Sequence, residues 1–214
     1  MKKGLLPVLF FGVFCFWGCK KEHAVTPAGD NYLPVTEGST WKYSYSSDGG
    51  ATDTLTLKMI GGTTQIKGKT YYNALSTYKQ GSSQGYFYTG NHVYSTRSIA
   101  IGASVAMEFQ LLNDTASVGY RWISSPTDDG MLGGKPARTV NTIIEKNISR
   151  TINGTTFSNV SHTQVQLQYD LGSGFETTVT YDFYLAKGIG LIENDSNTLD
   201  TFYETETLFN YTIK

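Results

Sequence analysis

Thr178-Val179-Thr180-Tyr181-Asp182-Phe183-Tyr184-Leu185 places Val179, Tyr181, Phe183 and Leu185 at every second position, with Thr178, Thr180, Asp182 and Tyr184 between them. A period of two marks a strand with one face in a core and the other in water. The pattern recurs along the chain. Leu55, Leu57 and Met59 alternate with Thr54, Thr56 and Lys58, and Val165, Leu167 and Tyr169 with Gln164, Gln166 and Gln168. Turn signals separate the runs: Asp48-Gly49-Gly50, Gly61-Gly62, Thr89-Gly90-Asn91, Asp129-Gly130, Asn153-Gly154 and Gly172-Ser173-Gly174. Gly and Asn tolerate the positive φ that tight hairpin turns require. No stretch carries a sustained helical stripe, and only Val105 to Asn113 is compatible with a short helix.

An internal repeat organises these strands. Gly38-Ser39-Thr40-Trp41 is matched by Gly119-Tyr120-Arg121-Trp122, and Ile66-Lys67-Gly68-Lys69-Thr70-Tyr71 by Ile152-Asn153-Gly154-Thr155-Thr156-Phe157. Two motifs in the same order point to two related units. Each unit enters by a turn glycine and a core tryptophan, then folds back through the hairpin at Gly68 or Gly154. The expected fold is all-β: an antiparallel sheet or pair of sheets built from two related β-meander units, as a sandwich or a curved half-barrel. Trp41 and Trp122 should occupy equivalent core positions. A strongly curved sheet wrapped on a short helix is the alternative.

The amino terminus reads as an export signal. Lys2 and Lys3 precede an apolar run from Gly4 to Gly18, which ends at Phe16-Trp17-Gly18-Cys19 and is followed by Lys20-Lys21-Glu22. About fifteen residues fall short of the roughly twenty that a spanning helix needs. A small residue directly before a cysteine is how a bacterial lipoprotein signal ends. Phe16 and Trp17 depart from the usual Leu at −3 and Ala or Ser at −2, whereas Gly18 and Cys19 fit. Residues 1–18 are therefore expected to be cut away and the Cys19 thiol acylated. Residues 19–31 read as a flexible lipid tether, and 32–214 as a single β domain with repeat units at about 32–113 and 114–214.

Composition closes off several kinds of chemistry. The chain has two cysteines, Cys15 and Cys19. The first lies in the signal and the second carries lipid, so the body has no disulfide, thiolate metal site or cysteine nucleophile. Without Lys2 and Lys3, 15 basic side chains face 18 acidic ones. That balance supplies no pull toward nucleic acid, which is excluded as a partner.

Asn31-Tyr32-Leu33-Pro34-Val35 leading into Gly38-Ser39-Thr40-Trp41-Lys42-Tyr43, with the late Ala186-Lys187-Gly188-Ile189-Gly190-Leu191-Ile192-Glu193, carries a resemblance. The chain resembles lipoproteins of the Bacteroidota that open on Pro-x-x-x-Gly-x-x-Trp-x-Tyr and end with an Ala-x-Gly-Val-Gly-Leu-Ile strand. The likeness covers most of the mature chain. It implies an envelope location and a β architecture. Its motifs are structural, and it implies no activity.

Residue patterns that could carry chemistry are sparse. His23, His92 and His162 lie far apart in sequence, without the close spacing of a metal site. Ser76-Thr77-Tyr78-Lys79 matches a Ser-x-x-Lys pattern, but in a strand-like run where the motif's helical geometry is missing. Gly68-Lys69-Thr70 and Gly188-Ile189-Gly190 lack the glycine spacing and the following helix of nucleotide sites. Asp128-Asp129-Gly130 and Asp195 read as turn aspartates, since the alternating spacing of a calcium loop is absent. Glu204 and Glu206 share one strand face, the wrong disposition for a glycosidase unless a partner strand supplies a second carboxylate. Tyr86, Tyr88 and Tyr94 flank a hairpin, where they either stack on sugars or a partner protein or pack across the sheet. Asp53-Thr54-Leu55 and Asp114-Thr115-Ala116 match a short acceptor pattern for O-glycosylation.

These readings lead to a non-enzymatic lipoprotein of the bacterial envelope, a binding or structural module without cofactor. It is anchored to the outer membrane through Cys19 and faces the periplasm. Its expected contacts are the membrane through the lipid, and an envelope protein or glycan partner. A carrier of an acyl chain or other apolar ligand in a half-barrel is the first alternative, and a glycan-directed hydrolase the second.

Overall fold

The computed structural model describes residues 23–25, 29–100 and 102–214, the first three for their backbone. The signal segment and Cys19 therefore lie outside the described residues. Among these residues the regular structure is entirely strand. The first meander comprises β2 (Thr40–Ser47), β3 (Thr52–Ile66), β4 (Lys69–Tyr78), β5 (Gly81–Gly90), β6 (Val93–Ser98) and β7 (Met107–Asn113). The second comprises β8 (Arg121–Ser124), β10 (Lys135–Ile152), β11 (Thr155–Asp170), β12 (Phe175–Ala186), β13 (Gly190–Thr198) and β14 (Phe202–Thr212). Two short strands lie off this path: β1 (His23–Val25) on β11 and β9 (Met131–Leu132) on β10.

The sheet order is β7-β6-β5-β4-β3-β2-β14-β13-β12-β11-β10-β8. The meanders thus join head to tail through β2 and β14, and the sheet curls into an antiparallel, nearly closed barrel. The stretch compatible with a helix, Val105 to Asn113, contributes strand β7 instead, paired with β6 from Val93↔Asn113 to Ser98↔Met107. A short segment beside an open strand edge gains a ladder of hydrogen bonds that an isolated turn of helix would lack.

The repeat is visible in backbone hydrogen bonds. The Gly38 N–H donates to Met59 O and the Met59 N–H to Ser39 O, both at 2.9 Å. In the second unit the Gly119 N–H donates to Ile143 O at 2.8 Å and the Ile143 N–H to Tyr120 O at 3.1 Å. Gly38 and Gly119 share a left-handed φ of 83° and 84°, a conformation that a Cβ strains. The β3–β4 turn (Lys67 φ 48°, Gly68 φ 76°) and the β10–β11 turn (Asn153 φ 51°, Gly154 φ 78°) are likewise the same two-residue turn. β3 and β10 both bulge shortly after the anchoring residue, past Met59 and past Ile143.

Trp41 and Trp122 sit on the first strand of their meanders, both facing the core. Their surroundings differ. Trp41 is 1% exposed and lies between Leu57 of β3 and Tyr211 of β14. Trp122 is half-buried, with β10 on one side and no hydrogen-bonded strand on the other. The barrel interior is one continuous cluster that includes Trp41, Tyr43, Leu112, Ile143, Val165 and Ile192. β7 leans across it, placing the Phe109 ring 4.9 Å from Tyr181 and 6.0 Å from Phe183.

Within the segment read as a tether, His23–Val25 pair in parallel with Thr155–Phe157. The reason is a vacant edge: β12 stops pairing at Val160↔Ala186, so the first residues of β11 outrun it and accept another strand. Further on, the Asn31 carboxamide oxygen accepts the Leu33 N–H at 2.7 Å, and Asn31 O accepts the Gly188 N–H at 2.8 Å. The chain is held to the body again from that point.

Candidate functional site

The gap between β7 and β8 is the place where the barrel would close. Among the described residues no ladder spans it, and isolated contacts cross it instead: the Glu108 N–H donates to Pro126 O at 2.8 Å and Trp122 Nε1 to Gln110 Oε1 at 2.7 Å, among others. Beside this seam lies a cleft of about 220 Å³. Arg97 of β6 and Glu108 of β7 are direct cross-strand partners on the face opposite the core, and both line the cleft. The Arg97 side chain, 9% exposed, binds Asp128 of the β8–β9 loop in a two-pronged pair at 3.0 and 2.7 Å. Paired donors in fixed geometry suit guanidinium and carboxylate.

The β3–β4 hairpin reaches the same place. Lys67 at its tip bonds Asp128, and Lys69 Nζ lies 3.7 Å from Glu108 and 5.2 Å from the Tyr88 ring. The Tyr71 hydroxyl donates to Glu108 at 2.8 Å. Its burial, then that carboxylate, push the Tyr71 phenol well above its ordinary range. The hydrogen bond from Arg97 holds the Asp128 carboxyl below the usual range. Three cations therefore answer two carboxylates, and the cluster reads as a lock across the seam.

The β10–β11 hairpin makes the corresponding reach over the second meander. The Arg150 guanidinium lies 3.5 Å over the Tyr184 ring and pairs with Glu193. On the other side of Tyr184 the buried His162 ring stacks at 4.3 Å. Its Nε2 is 2.7 Å from Asp182 and its Nδ1 3.3 Å from Glu145. Both ring nitrogens face carboxylates.

A second cleft, about 340 Å³, lies on the outer face of β12–β14. Asp182 and Asp195 face each other there as cross-strand partners. Burial raises the Asp195 carboxyl above its ordinary range. Glu204 and Glu206 do share a strand face, as the sequence indicates, but across from them stand Ser196 and Asn194 on β13, with no carboxylate. Glu204 accepts Tyr45 and Ser196 hydroxyls instead. Burial, the larger cause, and then neighbouring Glu204 raise the Glu206 carboxyl.

The remaining sequence candidates resolve into structure. His92 is exposed beside Asp114, 2.8 Å away, and His23 belongs to β1. Tyr94 is buried, donating to Asp114 at 2.8 Å with its ring edge-on to Tyr32, and Tyr88 packs on Tyr71. Tyr88 and Tyr94 therefore pack within the sheet, and Tyr86 is half-buried between Asn73 and Arg97 on the neighbouring strands. Ser76-Thr77-Tyr78-Lys79 closes strand β4, and Asp129 caps its own turn through Thr127 and Met131. Among the described residues no group of three His, Cys, Asp or Glu side chains is placed to hold a metal ion.

The opening and closing motifs meet. Trp41 Nε1 donates to Ile189 O at 2.6 Å, and a Cβ on Gly190 (φ 112°) would sit 3.3 Å from that nitrogen. The glycine is there to let the indole in.

No family model and no curated protein matches this chain. Two solved structures share its fold. A candidate lipoprotein of Parabacteroides distasonis superposes with a TM-score of 0.57 at 13% identity, covering 86% of this chain and 99% of that one. A candidate exported protein of Bacteroides fragilis, described as having a YmcC-like fold, gives 0.52 at 10% identity, with 84% and 98% covered. The likeness spans nearly the whole of both neighbours, so the two-meander barrel is a shared architecture.

Proposed function

We propose that this chain is a lipoprotein of the bacterial outer membrane. It is anchored by acylation of Cys19, faces the periplasm, and works as a non-enzymatic binding or structural module. The observation that carries this reading is the sequence Gly18-Cys19 at the end of a short apolar run, with no later cysteine to compete. The names of the two structural neighbours point the same way. The clefts add support, since their charged groups are engaged with one another or with backbone rather than arranged as nucleophile and base. An interior filled with side chains favours a module that works through its surface over one that carries an apolar ligand inside.

Labelling with a palmitate analogue tests the anchor. The wild-type chain should take up label and lose its first eighteen residues, and Cys19→Ser should do neither while keeping its fold. Label retained by Cys19→Ser would defeat the reading. Orientation is tested by protease added to intact cells with a sealed outer membrane. A periplasm-facing body survives, and rapid digestion would place it on the cell surface instead.

A further inference from the structure

Cross-strand pairing lines up two rows of residues on the inner face of the sheet. One runs Asn141, Val165, Tyr181, Ser196, Glu204, and the next Ile143, Thr163, Phe183, Asn194, Glu206, Tyr45. Ile143, Val165 and Phe183 belong to the core cluster, as do Ile192, Leu208 and Tyr43, each two positions from Asn194, Glu206 and Tyr45. Residues two apart on a strand share a face, so both glutamates point inward. Neither row holds a lysine, arginine or histidine. The second row continues to Asp53, whose carboxylate accepts the backbone N–H groups of Thr54 and Lys79.

At the seam the carboxylates have cations beside them, whereas here they meet only neutral groups. Glu204 accepts the Tyr45 and Ser196 hydroxyls. Glu206 is approached by the Asn194 amide and by Glu204, and no cation acts on it. Phenols gather round the pair. Burial first, and then Glu206, pushes the Tyr43 and Tyr78 phenols up, and burial followed by Glu204 pushes Tyr181 up to about 12. Tyr45, Glu204 and Glu206 are only half-buried, so solvent reaches this level of the barrel. A second observation is independent of charge. Asn141 Oδ1, Thr163 Oγ1 and Asn194 Oδ1 are buried without a hydrogen-bond partner, and the whole Asn141 and Thr163 side chains are sealed, both 0% exposed. Buried polar atoms left unpaired are costly, and these inward oxygens call for donors.

We propose that this inner face binds a small organic cation, with its primary ammonium group held by Glu204 and Glu206 and its remaining donors turned toward Asn194, Thr163 and Asn141. An ammonium group brings three N–H donors to a wall that is rich in acceptors, and its charge is also favoured by tyrosine rings. A divalent metal fits less well, since no three His, Cys, Asp or Glu side chains converge among the described residues. The apolar cluster below these rows leaves the polar level as the part of the interior that suits such a ligand. The site goes beyond the surface module proposed above and stands whether or not Cys19 carries lipid.

Titration calorimetry on the full chain in detergent tests it with two amines, glucosamine and putrescine, each beside its uncharged counterpart, glucose or butane-1,4-diol. At least one amine should give saturable heat with a dissociation constant below about 1 mM, while both counterparts give none. Whichever amine saturates identifies the source of the ammonium group, a hexosamine or an aliphatic amine. Glu206→Gln keeps the shape of the side chain and removes its charge, and it should weaken binding by about tenfold or more. Asp195→Asn makes the same change of charge on the outer face of the neighbouring strand and should leave the affinity as it was. The wild-type melting temperature should rise with the amine that binds, a reading that needs no variant. No saturation by either amine, equal heat from an uncharged counterpart, equal losses in Glu206→Gln and Asp195→Asn, or a melting temperature that does not move overturns the proposal.

Discussion

The two places where one meander meets the other differ. At β2–β14 the strands pair from Thr40↔Thr212 to Ser47↔Glu204, and Trp41 is sealed beneath the ladder. At β7–β8 the strands do not pair, Trp122 is left half-exposed, and isolated contacts such as Arg97–Asp128 do the joining. The difference teaches that a duplicated unit need not close on itself twice. One zipped junction fixes the barrel, which leaves the other free to be short, charged and adapted to contact.

The largest test of that contrast is Trp41→Ala. Removing a sealed indole, along with its hydrogen bond to Ile189, should cost about 3–5 kcal/mol by urea unfolding. At the seam, Arg97→Met should cost about 2–3 kcal/mol, because it removes the buried cation and leaves Asp128 and Glu108 only the more exposed Lys67 and Lys69. The value falls below that of a fully buried pair because the Asp128 side chain is 48% exposed. Trp122→Ala should cost about 1–2 kcal/mol, reduced by its partial exposure. Equal losses at Trp41 and Trp122 would erase the distinction between the junctions.

Two pH responses of opposite sign sharpen it further. Arg97 depresses the folded-state pKa of Asp128, so its stabilisation is complete above the unfolded value and is lost as pH falls toward the folded one. Asp128→Asn should therefore reduce stability at neutral pH and make no difference in strong acid. Burial raises the folded pKa of Glu206, so its ionised form opposes folding at neutral pH and protonation relieves the cost as pH falls. Glu206→Gln should give a small gain at pH 7 that vanishes at low pH. A loss of stability at pH 7 would show that the carboxylate is needed there.

Much of the architecture could be read from residue order. The alternation around Tyr181 gave β12, and Gly68 and Gly154 marked two equivalent hairpins because a tight turn writes its φ requirement into local residues. The matched Gly-x-x-Trp pairs foretold the repeat. Seam and surface patches were not readable in this way. Arg97 and Asp128 are thirty-one residues apart, and nothing local in Ser95-Thr96-Arg97-Ser98 says which loop will cover the arginine. The Asp182–Asp195 opposition depends on register, which a one-residue slip would undo. Strand β1 escaped notice because its reason is the vacant edge of β11 rather than any preference of His-Ala-Val.

The β2–β14 junction also sets an order of events. Ser44 and Thr207, which share a hydrogen bond across it, lie 163 residues apart. Each meander is made of neighbouring hairpins that can form as soon as their residues emerge, but β2, which begins the barrel, is covered only once β14 has been made. At ordinary rates of synthesis that gap is on the order of ten seconds. Throughout it, the β2 edge, with Trp41 and Tyr43 beside it, stands uncovered, and such an edge invites pairing with other chains. For this chain the hazardous interval is the wait for β14, and anything that shelters the first meander during that wait should raise the yield of folded protein.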